Sequence, residues 1–284
     1  MEARQPFSRL GWALFAQMAV MLAAQWGVLL LAGAARPGLL GEPVFLWAAS
    51  VLGAYGLGIP AACLVLWGTA APPAPARRPL GPVRFAALWA GPVGLAYLAN
   101  GATLLLTGLL GRLRGAAVVN PVESIGLYPL PLQLLLAGLI APAAEELLFR
   151  RLLLRRLRPY GERFALVASA LCFGLFHGNL NQFFYAFLLG LVLAELALST
   201  GCLWQAVLLH ALVNLFSILW RWLGGPVVVT GVLMLAGAMV PFRLIPALLA
   251  RPDAERGTWR RFLTSPGVLC FGALSLSLAL SYLI

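Results

Sequence analysis

The chain has 284 residues, of which 62% are hydrophobic and only 10% are charged, and its mean hydropathy is +0.92. These values exclude a soluble globular domain and indicate a polytopic membrane protein. The formal net charge of +11 comes from arginine alone, because the sequence contains no lysine. The arginines lie in short breaks between apolar runs, where they are expected to set membrane topology and contact phospholipids, so no nucleic-acid partner is predicted.

Apolar runs recur along the whole chain. Crossing about 30 Å of hydrocarbon takes about 20 helical residues, and nine runs reach or approach this length: 10–35, 43–68, 85–110, 130–154, 164–176, 183–198, 203–223, 227–249 and 267–284. The fifth and sixth runs are the weakest, so eight spans is the main alternative. The sequence therefore predicts an all-α, integral membrane helical bundle with about eight or nine transmembrane helices.

The first apolar run follows two arginines and ends in a string of small residues, as a secretory signal peptide does. It is longer than the apolar core of a signal peptide, so we expect an uncleaved first span.

The arginine clusters alternate with the predicted spans. They precede the first, third, fifth and last runs, at Arg4 and Arg9, residues 77–84, residues 150–163 and residues 251–261. If the chain crosses at every run, these clusters share one side, and the opposite loops carry only Arg36, Arg112, Arg114 and Arg221. The positive-inside rule then places the N-terminus in the cytoplasm. The composition, rich in Ala, Leu, Gly and Arg, indicates a bacterium with G/C-biased codons and hence a bacterial cell membrane.

The fourth run contains two adjacent carboxylates, Glu145 and Glu146, in an otherwise apolar segment. An ionised carboxylate in hydrocarbon costs several kcal/mol unless it is paired, so this pair is expected to be functional. Arg150 follows Glu146 by four residues and can form an ion pair with it on the same helix face. Glu145 points about 100° away from Glu146, so it must face other groups.

The two histidines of the chain, His177 and His210, are the groups that Glu145 can meet. Glu145 lies 15 residues before Tyr160 and His177 lies 17 after it, which puts them roughly 22 and 25 Å along two antiparallel helices, at one level. His210 lies roughly 12 Å into the seventh helix. Either histidine alone could be a structural hydrogen-bonding group between helices, but the common depth favours one polar cluster.

Two further side chains share helix faces with the histidines. Asn214 follows His210 by four residues, and Phe173 precedes His177 by the same interval, so each pair lies on one face. A carboxylate and an imidazole can hold and deprotonate a water molecule, whereas a histidine and an asparagine amide can donate to an oxyanion. The set therefore has the chemistry needed for hydrolysis.

Three motifs contain these residues: E-E-x-x-x-R at 145–150, F-x-x-x-H at 173–177 and H-x-x-x-N at 210–214. In this order, and on membrane spans, they resemble the CPBP family of intramembrane proteases. That family includes the CAAX prenyl proteases of the Ras-converting type and bacterial bacteriocin-processing and immunity proteins. The resemblance suggests three parts: N-terminal transmembrane helices (residues 1–129, about three spans), a CPBP-like catalytic core (residues 130–223) and C-terminal transmembrane helices (residues 224–284).

The resemblance also implies roles for the motif residues. Glu145 and His177 would activate the attacking water, and His210 and Asn214 would stabilise the tetrahedral oxyanion. Supporting roles, structural or substrate-orienting, would fall to Glu146, Arg150 and Phe173.

The resemblance leaves the cofactor open. Glu145, His177 and His210 could supply three ligands to a catalytic Zn²⁺ with an open fourth position. The zinc motif H-E-x-x-H is absent, however, and a metal-free glutamate mechanism uses the same residues.

The implied function is that of an intramembrane endopeptidase. It would hydrolyse a peptide bond in a membrane-anchored or prenylated CAAX-type protein or peptide, close to the cytoplasmic side. Two alternatives stay open: a proton-coupled transporter in which Glu145, His177 and His210 relay protons, and a non-catalytic immunity or scaffold protein that keeps the motifs as structural pairs. A further carboxylate, Glu195 in the sixth run, is expected to pair with an arginine or to reach the interface rather than to bind substrate.

Overall fold

The computed structural model describes residues 5–283, so Arg4 of the first predicted arginine cluster lies outside the described residues. The described part of the chain is mainly helical and contains no β-strand, which confirms the predicted all-α class. Its ten principal helices are α1 (Gln5–Ala35), α2 (Pro43–Val65), α3 (Pro82–Arg114), α4 (Leu130–Tyr160), α5 (Glu162–Phe176), α6 (Leu180–Thr200), α7 (Leu203–Trp222), α8 (Val227–Leu249), α9 (Thr258–Leu263) and α10 (Pro266–Ser281). Short 3₁₀ helices at Pro37–Gly41 and Pro121–Leu127 lie in the connections.

Seven helices, α1 to α4 and α6 to α8, are long and apolar enough to cross a membrane. They correspond to seven of the nine predicted runs. The other two runs form α5, with 15 residues, and α10, with 16 residues. At 1.5 Å per residue these helices are only about 22–24 Å long, shorter than the hydrocarbon core of a bilayer. The protein is thus an integral membrane helical bundle in which two of the predicted spans are short.

Helix α4 occupies the centre of the bundle. Half of its most apolar 18-residue stretch is buried, whereas the corresponding share is 11% for α1 and for α8. The winding of α4 widens to π-helical turns at Leu136–Ile140 and Leu147–Leu154, and the stretch between them, Ala141–Glu146, is α-helical. Such wide turns are frequent at functional sites, and here they flank the two adjacent carboxylates.

Several arginine-bearing segments meet at one end of the bundle. Arg9 donates to the carbonyl oxygen of Trp67 at 2.6 Å, and Arg156 donates to the hydroxyl of Thr69 at 3.0 Å. These contacts join the start of α1, the connection after α2 and the end of α4. The shared end agrees with the charge pattern of the sequence, while the cytoplasmic location of that end stays a prediction.

The connection after α8 is attached to the same end by Arg251. Its Nε and Nη2 atoms each lie 2.7 Å from a carboxylate oxygen of Glu195 in α6, and its Nη1 lies 2.8 Å from Glu162 at the start of α5. The hydrogen bonds with Glu195 raise the pKa of Arg251, so the guanidinium stays charged. Glu195 therefore has the arginine partner that the sequence suggested.

Glycines let α3 and α8 approach until their backbones touch. A Cβ atom built on Gly94 would lie 1.7 Å from the carbonyl oxygen of Leu233, and one on Gly237 would lie 2.2 Å from the carbonyl carbon of Gly94. Small residues are the usual means of close helix packing in membranes. This contact fixes α8 against α3, at a distance from the polar cluster.

Gly94→Ala is expected to destabilise the bundle by about 1–3 kcal/mol, the usual cost of overpacking, because the added methyl group has no room beside α8. Gly108→Ala on the same helix is the matched control, since nothing lies within 4 Å of a Cβ atom there. Thermal unfolding in detergent measures the difference. Equal unfolding temperatures for the two variants would show that α3 and α8 are not in backbone contact.

Candidate active site

Glu146 is fully buried and joins two of the predicted site residues. Its Oε2 accepts a hydrogen bond from Nε of Arg150 at 2.9 Å, and its Oε1 lies 3.1 Å from Nδ1 of His210. A carboxylate paired with a buried arginine is an acceptor only, so Nδ1 of His210 must donate to it. Glu146 therefore holds the imidazole in one orientation, with Nε2 turned away.

Glu145 faces the opposite nitrogen of the same imidazole. Its Oε2 lies 3.9 Å from Nε2 of His210, and its Oε1 accepts a hydrogen bond from the hydroxyl of Tyr55 at 3.2 Å. A separation of 3.9 Å is too long for a direct hydrogen bond, but a water or substrate oxygen could contact both groups at once. Only 7% of Glu145 is exposed, so this pair of groups lies in the interior of the bundle.

His177 lies at the C-terminal end of α5. Its Nδ1 is 2.8 Å from the carbonyl oxygen of Phe173, which leaves Nε2 for another partner. Phe173 packs edge-on against both imidazoles, at centroid distances of 5.0 Å to His177 and 5.7 Å to His210. The guanidinium of Arg150 lies 5.2 Å from the centre of the Phe173 ring. The ring of Phe173 is thus an apolar surface that contacts Arg150 and both histidines.

Asn214 lies on the His210 face of α7, one turn further along. Its Nδ2 donates to the carbonyl oxygen of Ala137 at 2.8 Å, within the first wide turn of α4. An amide has two donor protons, so the second stays available to a substrate oxygen. The contact ties α7 to α4 at a point eight residues before Glu145, so Asn214 makes no direct contact with the carboxylates.

The structure therefore brings some of the predicted residues into direct polar contact and connects others only indirectly. Direct polar contacts join Glu146 with Arg150 and His210, and Glu145 faces His210 across a short gap. His177 is connected to this group through the ring of Phe173, which packs against both imidazoles.

Two contributors to the cluster were missed by the sequence analysis. Tyr55 reaches Glu145 from α2, and its position 90 residues earlier in the chain offered no spacing that could reveal it. Ser169 accepts a hydrogen bond from Nη1 of Arg150 at 3.0 Å and donates to the carbonyl oxygen of Phe149 at 3.1 Å. Ser169 lies eight residues before His177, close to two helical turns, which was a usable signal.

The cluster has the residue types of a catalytic zinc site, one carboxylate and two imidazoles, but not the required proximity. Within residues 5–283, no three His, Cys, Asp or Glu side chains converge closely enough to hold a metal. Nδ1 of His210 is engaged by Glu146, and Nδ1 of His177 faces the backbone of its own helix, so Nε2 of each ring is the nitrogen left for another partner. Because the three side chains do not converge on one point, no catalytic step is assigned to a metal.

Comparison with known proteins gives one match. Residues 128–216 match the family model described as "Rce1-like: Type II CAAX prenyl endopeptidase Rce1-like", and this segment contains Glu145, Glu146, Arg150, Phe173, His177, His210 and Asn214. No curated protein and no solved structure matches the chain. The family indicates a hydrolase, specifically a protease of the CAAX type. The buried polar cluster therefore lies within the segment, residues 128–216, that matches the Rce1-like family of type II CAAX prenyl endopeptidases.

Proposed function

We propose that the protein is an intramembrane endopeptidase that hydrolyses a peptide bond in a membrane-anchored or prenylated CAAX-type protein or peptide. The observation that carries this proposal is the buried gap of 3.9 Å between Oε2 of Glu145 and Nε2 of His210. A base and a potential oxyanion donor face each other there, inside a segment of the matching protease family.

In the proposed reaction, Glu145 and His177 bind a water molecule and Glu145 takes one of its protons. The water oxygen attacks the scissile carbonyl carbon, and the carbonyl oxygen becomes an oxyanion. Glu145 then delivers the proton to the leaving amine as the carbon–nitrogen bond breaks. One carboxylate thus acts as base and then as acid, and the atoms and protons balance.

The oxyanion is assigned to His210 and Asn214. Because Nδ1 of His210 donates to Glu146, Nε2 can donate to an oxyanion only when the ring carries a proton on both nitrogens. In that form its charge is compensated by the carboxylate of Glu146 at 3.1 Å, because Glu145 carries the proton of the water at this stage. The second amide proton of Asn214 adds a neutral donor. Fixed donors aimed at a developing charge are among the largest contributions to catalysis.

A membrane-embedded or lipid-anchored substrate is supported by the exposed face of α4. Leu135, Leu139 and Ala143 follow one another at intervals of four residues and are all exposed. They form an apolar stripe on the surface of the bundle, which ends two residues before Glu145. The helix that bears the carboxylates therefore borders the lipid, where such a substrate would approach.

Cleavage of a panel of membrane-anchored peptides, including prenylated CAAX peptides, by the detergent-purified protein tests the proposal. Products identified by mass spectrometry would establish the protease and locate the scissile bond. Proton flux in proteoliposomes is the counter-assay, because a relay transporter would conduct protons and a protease would not. Flux without cleavage would overturn the proposed function.

We further propose that catalysis needs no metal, because among the described residues no three His, Cys, Asp or Glu side chains lie close enough together to hold one. Treatment with 1,10-phenanthroline or EDTA is expected to leave kcat unchanged, and elemental analysis is expected to find less than one zinc ion per protein. Loss of activity on chelation, with recovery on adding Zn²⁺, would instead favour the zinc mechanism. A chelated sample that keeps its unfolding temperature provides the control for damage to the fold.

A further inference from the structure

The hydroxyl of Tyr55 contacts the carboxylate of Glu145 and affects its orientation. It donates to Oε1 at 3.2 Å, while Oε2 faces Nε2 of His210. A carboxylate held at one oxygen can rotate little about its last bond. The other oxygen is therefore directed steadily into the gap in which hydrolysis is proposed to occur.

The local backbone of α2 aims Tyr55 at this position. Residues Leu52–Gly58 form a π-helical segment, and such wide turns reorient side chains relative to a regular α-helix. A Cβ atom built on Gly58 would lie 3.0 Å from the carbonyl oxygen of Gln17 in α1, and one on Gly53 would lie 2.7 Å from Cγ of Gln25. The glycine face of α2 thus lies directly on α1, which leaves the tyrosine to extend toward α4.

Gln17 supports the wide turn from the other side. It is fully buried in α1, and its Nε2 donates to the carbonyl oxygen of Ala54, the residue before Tyr55, at 3.2 Å. A buried amide within an apolar helix is costly unless it binds a neighbouring helix. The contact therefore fixes the backbone immediately before the tyrosine.

We propose that Tyr55 is a positioning residue that holds the carboxylate of Glu145 in its reactive orientation, and that Gln17 holds Tyr55 in turn. This inference rests on the proposed function, since it assumes that Glu145 is the base. It extends the candidate site from α4, α5 and α7 to α1 and α2. These two N-terminal helices lie outside the segment that matches the protease family. The inference therefore rests on contacts of residues that the family match does not include.

Tyr55→Phe is expected to lower kcat by about 10- to 100-fold, the usual effect of losing a group that orients a reactive side chain. KM should change by no more than about twofold, because Tyr55 contacts Glu145 and is not proposed to bind substrate. Tyr128→Phe is the matched control. The hydroxyl of Tyr128 lies 3.4 Å from the hydroxyl of Ser50, which belongs to α2 as Tyr55 does. Loss of the Tyr128 hydroxyl should leave kcat unchanged. If both variants keep the wild-type kcat while Glu145→Gln is inactive, the inference is overturned and the proposed function stands.

The glutamine gives a second, independent comparison. Gln17→Leu is expected to lower kcat several-fold in the wild type, but to have little further effect in Tyr55→Phe, because both act on the same carboxylate. Gln25→Leu is its control, since Nε2 of Gln25 makes a similar but longer contact of 3.4 Å with the carbonyl oxygen of Ser50. Additive effects of Gln17→Leu and Tyr55→Phe on kcat would contradict the proposed chain of contacts.

Thermal unfolding in detergent tests the contact without any substrate. The variants Tyr55→Phe and Glu145→Leu and their combination form a double-mutant cycle with the wild type. The effect of Tyr55→Phe on the unfolding temperature should vanish in the Glu145→Leu background. Additive shifts would overturn the inference. If the wild type cleaves nothing, the proposed function fails and the catalytic role of Tyr55 fails with it, whereas the cycle still decides whether the two side chains interact.

Discussion

Glu145→Gln is expected to abolish peptide-bond hydrolysis while leaving the protein folded. Glutamine keeps the size of the side chain and an oxygen that can accept from Tyr55, but it lacks the charge and basicity that take a proton from water. The loss of a general base costs about 10²- to 10⁴-fold in rate. The decrease should appear in kcat rather than in KM, because the base acts in the transition state.

The control for this prediction is Glu195→Gln, which alters another carboxylate of a membrane helix. Glu195 is bound by Arg251 with two contacts of 2.7 Å, so its replacement should lower the unfolding temperature and leave kcat unchanged. Steady-state cleavage and thermal unfolding of both variants measure the two effects. Wild-type kcat in a folded Glu145→Gln protein would show that the base has been assigned to the wrong residue.

Arg150→Met is expected to cause the largest loss of stability among single replacements at the site. The guanidinium and the carboxylate of Glu146 are almost completely buried. Removing one partner of a buried ion pair costs about 3–5 kcal/mol, because the remaining charge stays in an apolar interior. The loss should appear as a lower yield of folded protein and a lower unfolding temperature in detergent.

The paired replacement Glu146→Gln with Arg150→Met should recover most of this stability, because neutral groups of similar size often replace a buried ion pair at little cost. Catalysis should not recover with it, since His210 would no longer face a charged carboxylate at Nδ1.

Arg158→Met is the control that shows how much of the stability loss is due to the burial of the ion pair. Arg158 and Glu162 have the same spacing of four residues, but their side chains are 33% and 26% exposed, so the cost should be at most about 1 kcal/mol. Equal losses for Arg150→Met and Arg158→Met would mean that the Glu146 pair is accessible to water.

The helical class and the approximate ends of the helices follow from the sequence itself, because apolar runs between arginine-rich breaks have few alternatives in a bilayer. The pairing of Glu146 with Arg150 was predictable for a similar reason. A spacing of four residues is a property of one helix and needs no knowledge of its neighbours. Counting along antiparallel helices put Glu145 and His177 at one level, and the depth of His210 in the seventh helix placed it in the same layer. Of these groups, Glu145 and His210 face each other at 3.9 Å.

The contacts between helices were decided by the tertiary structure, because they depend on how each helix is rotated and how closely it packs. The spacing of the motifs does not reveal that Glu146 accepts a hydrogen bond from Nδ1 of His210, or that Asn214 binds the backbone of α4. Tyr55 is the clearest case. The glycine contacts between α1 and α2 and the wide turn after Val51 bring its hydroxyl to Glu145. Sequence periodicity describes one helix at a time, whereas the orientation of the catalytic carboxylate is set where three helices meet.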